Sequence, residues 1–288
     1  MSSAPVRGAA ALLTLAAARD QGTPIVMLTA YDAPSARIAV ASGVDVILVG
    51  DSAAMTVLGY PTTREITVDE LIMLTRAVRR TVVDIPIVGD LPFGSYETSD
   101  AQAVATARRF ADEAGCDAVK LEGGGAMLDR VRAIVGAGIP VVGHVGLLPQ
   151  SVTSAAGYRA KGRDAEQALA ILDDAWELEQ AGCTALVVEA VPNEIASLLT
   201  SRARIPVIGI GAGIGTDGQV LVFHDLLGFT QGRMPRFVTQ YAEAQADLAA
   251  AVRRWADDVR EGRFPKVEQG YPIAPEALAL VRERLGMD

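Results

Sequence analysis

The sequence predicts an α/β fold, a (β/α)8 TIM barrel, and three observations lead there. A unit recurs in which a glycine closes a helix-like stretch, a short apolar strand follows, and a carboxylate stands where the strand stops. It runs from Gly43 to Asp51, from Gly115 to Glu122 and from Gly182 to Glu189. A second refrain interleaves with it: Ile85-Pro-Ile-Val-Gly-Asp90, Ile139-Pro-Val-Val-Gly-His144 and Ile205-Pro-Val-Ile-Gly-Ile210. The strand segments are also near-continuous runs of Val, Ile and Leu, as in parallel sheets buried on both faces. Strands alternating with helices imply right-handed crossovers, and polar groups at C-terminal strand ends are how a barrel builds its site.

Taken in order, strands are expected at 24–30, 44–50, 84–89, 117–121, 139–143, 184–188, 205–210 and 219–223. Ahead of the first, the apolar run 9–18 follows Arg7. No cleavage site and spacer separate it from the strand, and it is shorter than the roughly 20 residues that cross a bilayer. It reads as a short helix packed on the barrel of a cytoplasmic protein. Thr67-Val-Asp-Glu70 predicts a capping box before a helix at 71–80, and Ser99-Asp-Ala-Gln102 predicts another before a helix at 103–114. The stretch 164–181 sets Leu169, Leu172 and Trp176 at helical spacing, a core stripe, and stops at Gly182. Connections 52–66 and 146–163 are longer than a barrel needs and read as rim or lid loops. A helix at 243–261 and a tail at 266–288 follow. The expected organisation is one barrel domain over 1–265, with its N-terminal and C-terminal helices, and then the tail.

The bulk properties fit that reading. A chain of 288 residues that is 50% apolar buries a sizeable core. A net charge of -9 and a pI near 4.9 argue against nucleic acid and anionic membranes as partners. Cys116 and Cys183 precede two separate strands and read as buried core residues, not a disulfide. Two widely separated histidines supply no zinc-type cluster.

The strand ends supply the chemistry. Asp51, Asp90 and Glu122 would point into one mouth, where unpaired carboxylates repel one another and raise one another's pKa. A hard divalent cation such as Mg²⁺, with positions left for water and substrate, relieves that repulsion; pairing with arginine in the scaffold is the plainer alternative. Lys120 leaves its strand on the same face as Glu122. It can act as a Schiff-base nucleophile, as an anchor for a substrate carboxylate or as a partner of the acids, and a metal beside it favours the anchor. Ser52 offers a hydroxyl and an N–H to the same anion, and His144 ends a strand within reach of substrate. Glu189, flanked by Val187, Val188, Ala190 and Val191, sits where an apolar surround raises a carboxyl toward the range of a general base. The Gly209-Ile-Gly-Ala-Gly213 segment reads as a tight turn with close backbone approach rather than a phosphate loop.

From about residue 24 to 265 the chain resembles the ketopantoate hydroxymethyltransferase family. The resemblance rests on Leu28-Thr-Ala-Tyr-Asp32, Val49-Gly-Asp-Ser52, Asp90-Leu-Pro-Phe93, Lys120-Leu-Glu-Gly-Gly124, Gly143-His144, Pro149-Gln-Ser-Val152, Gly162-Arg163, Val188-Glu189, Gly209-Ile-Gly-Ala-Gly213 and Asp217-Gly-Gln219. It implies a barrel of the phosphoenolpyruvate/pyruvate superfamily type, a Mg²⁺ site and 5,10-methylenetetrahydrofolate as one-carbon donor. It also implies an α-ketoacid acceptor, 3-methyl-2-oxobutanoate, and a homo-oligomer, a decamer. The metal falls on Asp51, Asp90 and Glu122, the ketoacid on Asp51, Ser52, Asp90 and Lys120, and the catalytic base on Glu189.

Two alternatives stand beside it. One is a lyase or mutase of the phosphoenolpyruvate mutase/isocitrate lyase type. Such lyases resemble one another in a Lys-Lys-Cys-Gly-His stretch that this chain lacks. The other is a paralogue acting on a different α-ketoacid, suggested by departures from the family pattern at Pro61, at Ala160-Lys161 and at Gln269-Gly270. These lie on rim loops or near the C-terminus, where specificity is set, while the strand-end residues match.

Overall fold

The computed structural model describes residues 9–152, 157–230, 232 and 234–287. Part of the expected rim loop, 153–156, lies outside the described residues, as does Arg7. Two compact units divide after Tyr241.

The first unit is a closed barrel of eight parallel strands in sequential order: β1 Ile25–Thr29, β2 Val46–Val49, β3 Ile87–Asp90, β4 Ala118–Glu122, β5 Val141–Gly146, β6 Ala185–Glu189, β7 Val207–Ile210 and β8 Gly218–Leu221. Each overlaps an expected strand. The starts differ most, because Pro24, Pro86, Pro140 and Pro206 stand just outside β1, β3, β5 and β7. Proline has no N–H for a ladder but keeps its carbonyl. The carbonyls of Pro86, Pro140 and Pro206 accept from the N–H groups of Ile47, Val119 and Leu186 at 3.0, 3.0 and 2.9 Å. The Ile-Pro refrain therefore marks where a strand enters the barrel.

Structural acids stand at three strand entries, two of them, Asp45 and Asp117, in the other refrain and the third, Asp217, ahead of β8. The Asp45, Asp117 and Asp217 carboxylates accept from the N–H groups of Val26, Ile87 and Val207 at 2.7, 2.8 and 2.9 Å. Each thereby ties the foot of one strand to its neighbour. Arg79 completes the buried case with a 2.8 Å ion pair to Asp117.

Helices follow the strands. α1 Ala9–Asp20 precedes the barrel, and its Leu12 and Leu15 join the core inside the strands, with Ile25, Met27, Val46 and Val88. α2 is Ala33–Ala41, capped by Asp32, and α3 is the short Ala53–Thr56. α4 Val68–Arg79 begins at the expected Thr67–Glu70 capping box. α5 Asp100–Arg109 starts at Ser99, but its box is half formed. The Ser99 hydroxyl accepts from Gln102 N–H, while the Gln102 side chain turns to the N–H of Thr98. α6 Leu128–Gly136, α7 Ala165–Gln180, α8 Asn193–Arg202 and α9 Phe223–Leu227 complete the unit.

The α7 stripe differs from expectation at one position. Leu172 is core and Trp176 packs at its margin, yet Leu169 is 58% exposed. The buried face runs instead through Ala168, Ile171, Leu172, Ala175 and Leu178. The glycine segment after β7 is a tight turn, with φ of +62° at Gly211 and +82° at Gly213. A Cβ on Gly211 would lie 2.5 Å from the Phe237 ring. The second unit holds α10 Ala244–Arg260 and α11 Pro275–Leu285. No described helix is long and apolar enough to cross a membrane.

Candidate functional site

The acids and bases singled out in the sequence converge at the C-terminal end of the barrel because strand register sets them side by side. Asp90 pairs across the sheet with Lys120, Glu122 with His144, and Glu189 with Gly146. Asp51 lies just beyond β2, and its N–H donates to Asp90 Oδ2 at 3.1 Å. His144 does not end its strand: β5 continues to Gly146, so the imidazole sits inside the mouth. Asp51, Asp90, Lys120, Glu122 and His144 are all buried.

Charges there are paired, but not evenly. Lys120 Nζ lies 2.8 Å from Asp90 Oδ1 and 3.5 Å from His144 Nδ1. The partner of Asp90 is thus this lysine, not an arginine of the scaffold. His144 Nδ1 is 3.4 Å from Glu122 Oε1, and its Nε2 is 3.3 Å from Glu189 Oε2. Burial and the Lys120 charge oppose protonation of His144, yet its hydrogen bonds to Glu122 and Glu189 prevail and push it up to about 9. Burial likewise opposes charge on Lys120, but Asp90, Glu122 and Asp51 hold it protonated. Burial acts against Glu122 too, and the hydrogen bond from His144, with Lys120 and the Gln150 N–H, keeps it below the usual carboxylate range. Asp51 is the unbalanced member. Burial, Asp90 and Glu122 together push it well above its ordinary value.

That imbalance tests the fit to a cation. Four carboxylates face one lysine and one histidine, all donors that remain are oxygens, and one acid is held up by its neighbours. A hard divalent ion answers this need, and Mg²⁺ requires only one or two protein carboxylates because it retains waters. Among the described residues, no three such groups already stand as a coordination set. Lys120, His144 and Gln150 occupy several of their oxygens instead.

Glu189 closes the opposite side, its side chain 15% exposed. The expected apolar surround is partly present in buried Val187, Val188, Ala190 and Val191, but His144 is a polar neighbour the sequence did not reveal. Directly after it, Ala190 has a φ of +49°. A left-handed backbone at a non-glycine residue is strained, and such strain persists where surrounding structure holds it. Ser52 is half-buried, with its Oγ 2.8 Å from Tyr31 Oη. Burial pushes that phenol up to about 12, so it keeps its proton.

Sequence reasoning missed Gln150 and Tyr96. Both are buried, and Tyr96 Oη donates to Gln150 Oε1 at 2.7 Å. Their signal was present but mute. Gln150 lies in the Pro149-Gln-Ser-Val152 segment, and Tyr96 follows Phe93 by three residues. Neither spacing says that a loop residue would fold back onto the acids.

The chain matches the family model described as ketopantoate hydroxymethyltransferase over residues 10–267. It is 48% identical over 258 residues to the 3-methyl-2-oxobutanoate hydroxymethyltransferase of Geobacillus kaustophilus, covering 90% of this chain and 92% of that one. To the protein of the same name from Frankia casuarinae it is 50% identical over 267 residues, covering 93% and 90%. Among solved structures, it is similar to phosphoenolpyruvate phosphomutase from Streptomyces platensis subsp. rosaceus, with a TM-score of 0.59, 18% identity and coverage of 97% and 95%. A 2,3-dimethylmalate lyase of the phosphoenolpyruvate mutase/isocitrate lyase superfamily gives a TM-score of 0.58, 16% identity and 94% coverage of both chains. At such identities the likeness shows the barrel fold alone.

Proposed function

The chain belongs to the ketopantoate hydroxymethyltransferase family, and from that premise we propose that it moves a one-carbon unit from 5,10-methylenetetrahydrofolate to 3-methyl-2-oxobutanoate, giving 2-dehydropantoate. The supporting observation is the buried mouth itself. Three acids and a lysine converge on one side, and Glu189 stands across from them beside His144.

In this reading Asp51, Asp90 and Glu122 hold Mg²⁺. When bound, the ion supplies positive charge that stabilises the enolate of an α-ketoacid. The Lys120 ammonium anchors the substrate carboxylate, with the Ser52 hydroxyl and N–H beside it. Glu189 takes the proton from the β-carbon, and His144 keeps that carboxylate oriented. The β-carbon then attacks the folate methylene and a C–C bond replaces one of its two C–N bonds. The oxygen of water replaces the second, and the proton taken from the β-carbon and one from water end on the two freed nitrogens of tetrahydrofolate.

The departures at Pro61 and Lys161 do not favour another acceptor. Both residues are exposed. The backbone N–H of Lys161 donates to the Ala190 carbonyl at 2.9 Å. Gln269 is an exposed residue of the second unit. The superfamily lyase alternative has only the shared barrel behind it. We also read the protein as cytoplasmic and homo-oligomeric; free, buried Cys116 and Cys183 suit a reducing compartment.

The test is a panel of α-ketoacids assayed with 5,10-methylenetetrahydrofolate, before and after exhaustive chelation. We expect 3-methyl-2-oxobutanoate to have the highest kcat/KM by a wide margin, and turnover to disappear on chelation and return with Mg²⁺. Preference for another ketoacid would overturn the acceptor, and full activity after chelation would overturn the metal.

A further inference from the structure

Every hydrogen-bonding group of Gln150 is engaged, and most of its partners belong to the acid cluster. Its backbone N–H donates to Glu122 Oε2 at 3.0 Å. Its side-chain Nε2 donates to Asp51 Oδ2 at 3.1 Å and to the Leu91 carbonyl at 3.0 Å. Its Oε1 accepts from Tyr96 Oη at 2.7 Å, and its carbonyl accepts from Arg64 Nη1 at 2.8 Å. The Arg64 guanidinium stacks 3.6 Å above the Phe93 ring, which fixes its direction.

Tyr96 closes a circuit. The Glu122 N–H donates to Tyr96 Oη at 3.3 Å, which leaves the phenolic proton for Gln150 Oε1. With Oε1 so engaged, the amide can turn only its NH2 toward Asp51. The circuit returns to Glu122 through the Gln150 N–H.

From this we infer that Gln150, oriented by Tyr96, is a positioning residue that decides which oxygens of Asp51 and Glu122 are left for the cation. One oxygen of each acid is taken by a Gln150 donor, which leaves Asp51 Oδ1 and, beside His144 Nδ1 at 3.4 Å, Glu122 Oε1. Without the side-chain amide Asp51 Oδ2 loses its Gln150 donor, while Glu122 keeps the Gln150 backbone N–H and His144, so the orientation of Asp51 relative to Glu122 is no longer held. Hydrogen-bonded partners of metal ligands commonly change metal affinity by roughly 10–100-fold when removed. The inference rests on the proposed cation site at Asp51, Asp90 and Glu122.

Direct binding to the substrate-free protein tests it, with Mn²⁺ followed by electron paramagnetic resonance and Mg²⁺ by calorimetry. Wild type, Gln150→Leu, Tyr96→Phe and Asp51→Asn are compared, each with its thermal unfolding curve. We expect Gln150→Leu and Tyr96→Phe to weaken cation binding by about tenfold or more. In both, kcat should fall at low Mg²⁺ and recover substantially at saturating Mg²⁺. A role only in folding would lower Tm without moving the cation Kd of the folded fraction. Should Gln150→Leu not fold, Tyr96→Phe decides, since it removes one hydroxyl that touches no carboxylate oxygen. If wild type binds the ion, Asp51→Asn weakens it and Tyr96→Phe binds as wild type does, the positioning role is refuted and the cation site stands. If wild type binds no divalent ion, or Asp51→Asn binds it equally well, the cation site fails and this role fails with it.

Discussion

His144 Nε2 lies 3.3 Å from Glu189 Oε2, while the other nitrogen of the same ring faces Glu122 at 3.4 Å. One imidazole thus spans the mouth from the acid expected to take the substrate proton to an acid expected to help hold the cation. The link fixes the direction of Glu189 without burying it completely, which leaves one carboxylate edge for substrate.

Glu189→Gln keeps the shape and a hydrogen bond to His144 but cannot accept a proton. The variant should fold and bind 3-methyl-2-oxobutanoate, yet lose exchange of the β-proton with deuterated solvent by about 10²-fold or more. Proton NMR of the ketoacid reads this directly. Exchange at the wild-type rate would move the base elsewhere, with His144 the first suspect.

Asp51 is held above its ordinary pKa by burial, Asp90 and Glu122, so at neutral pH its charge costs stability when no cation is bound. Asp51→Asn removes that charge, and an amide oxygen can still accept from Gln150. We expect the cation-free variant to be more stable by about 1 kcal/mol, roughly 2–4 °C in Tm, and to have no turnover. In saturating Mg²⁺ wild type should gain stability by binding while the variant does not. Melting curves with and without chelator separate the two effects. A cation-free variant that melts below wild type would contradict the electrostatic account.

Gly146, with φ at +96°, pairs with Glu189 across β5 and β6. A Cβ there would lie 2.3 Å from the Glu189 carbonyl oxygen, which already accepts from Leu147 N–H at 2.8 Å. Gly146→Ala must therefore displace the backbone that carries the proposed base. The expected outcome is destabilisation by about 1–3 kcal/mol and a fall in kcat larger than the rise in KM. Steady-state kinetics on the folded variant checks this, and unchanged kcat would show that Glu189 tolerates the shift.

His224 packs against Tyr31, Phe223 and Phe229, and burial holds its pKa below the ordinary 6.5 despite Asp225 and Asp32 nearby. A group with a depressed folded pKa binds its proton more tightly in the unfolded chain, so acidification through that range favours unfolding. Asp225, itself raised by burial, acts with the opposite sign lower down, in the carboxylate range. His144, whose pKa is raised, gains stability over the same range, so the effect of His224 is read as a difference: from pH 7.5 to 5.5 the Tm of His224→Phe, which retains the ring packing, should rise relative to that of wild type. An unchanged difference in Tm across that range would show that His224 does not contribute.

The sequence by itself determined the barrel, the order of its strands and the identity of the acids at its mouth. Those features are local and periodic: Val and Ile runs after Ile-Pro, glycine before each of the three strands of the first refrain, and a carboxylate two to five residues later than a core position. Strand register then turns linear spacing into neighbourhood, as with Asp90 beside Lys120 and Glu122 beside His144. The exposed Leu169 shows the limit of that logic, because spacing alone leaves the angle of a helix on the barrel open by a turn's fraction. Only the tertiary structure decided that His144 joins Glu122 to Glu189, that Gln150 returns from a loop to clamp Asp51 and Glu122, and that Tyr96 aims its amide. These contacts join residues far apart in the chain, without periodicity, and depend on side-chain directions that are settled once the closed barrel has removed water from its mouth.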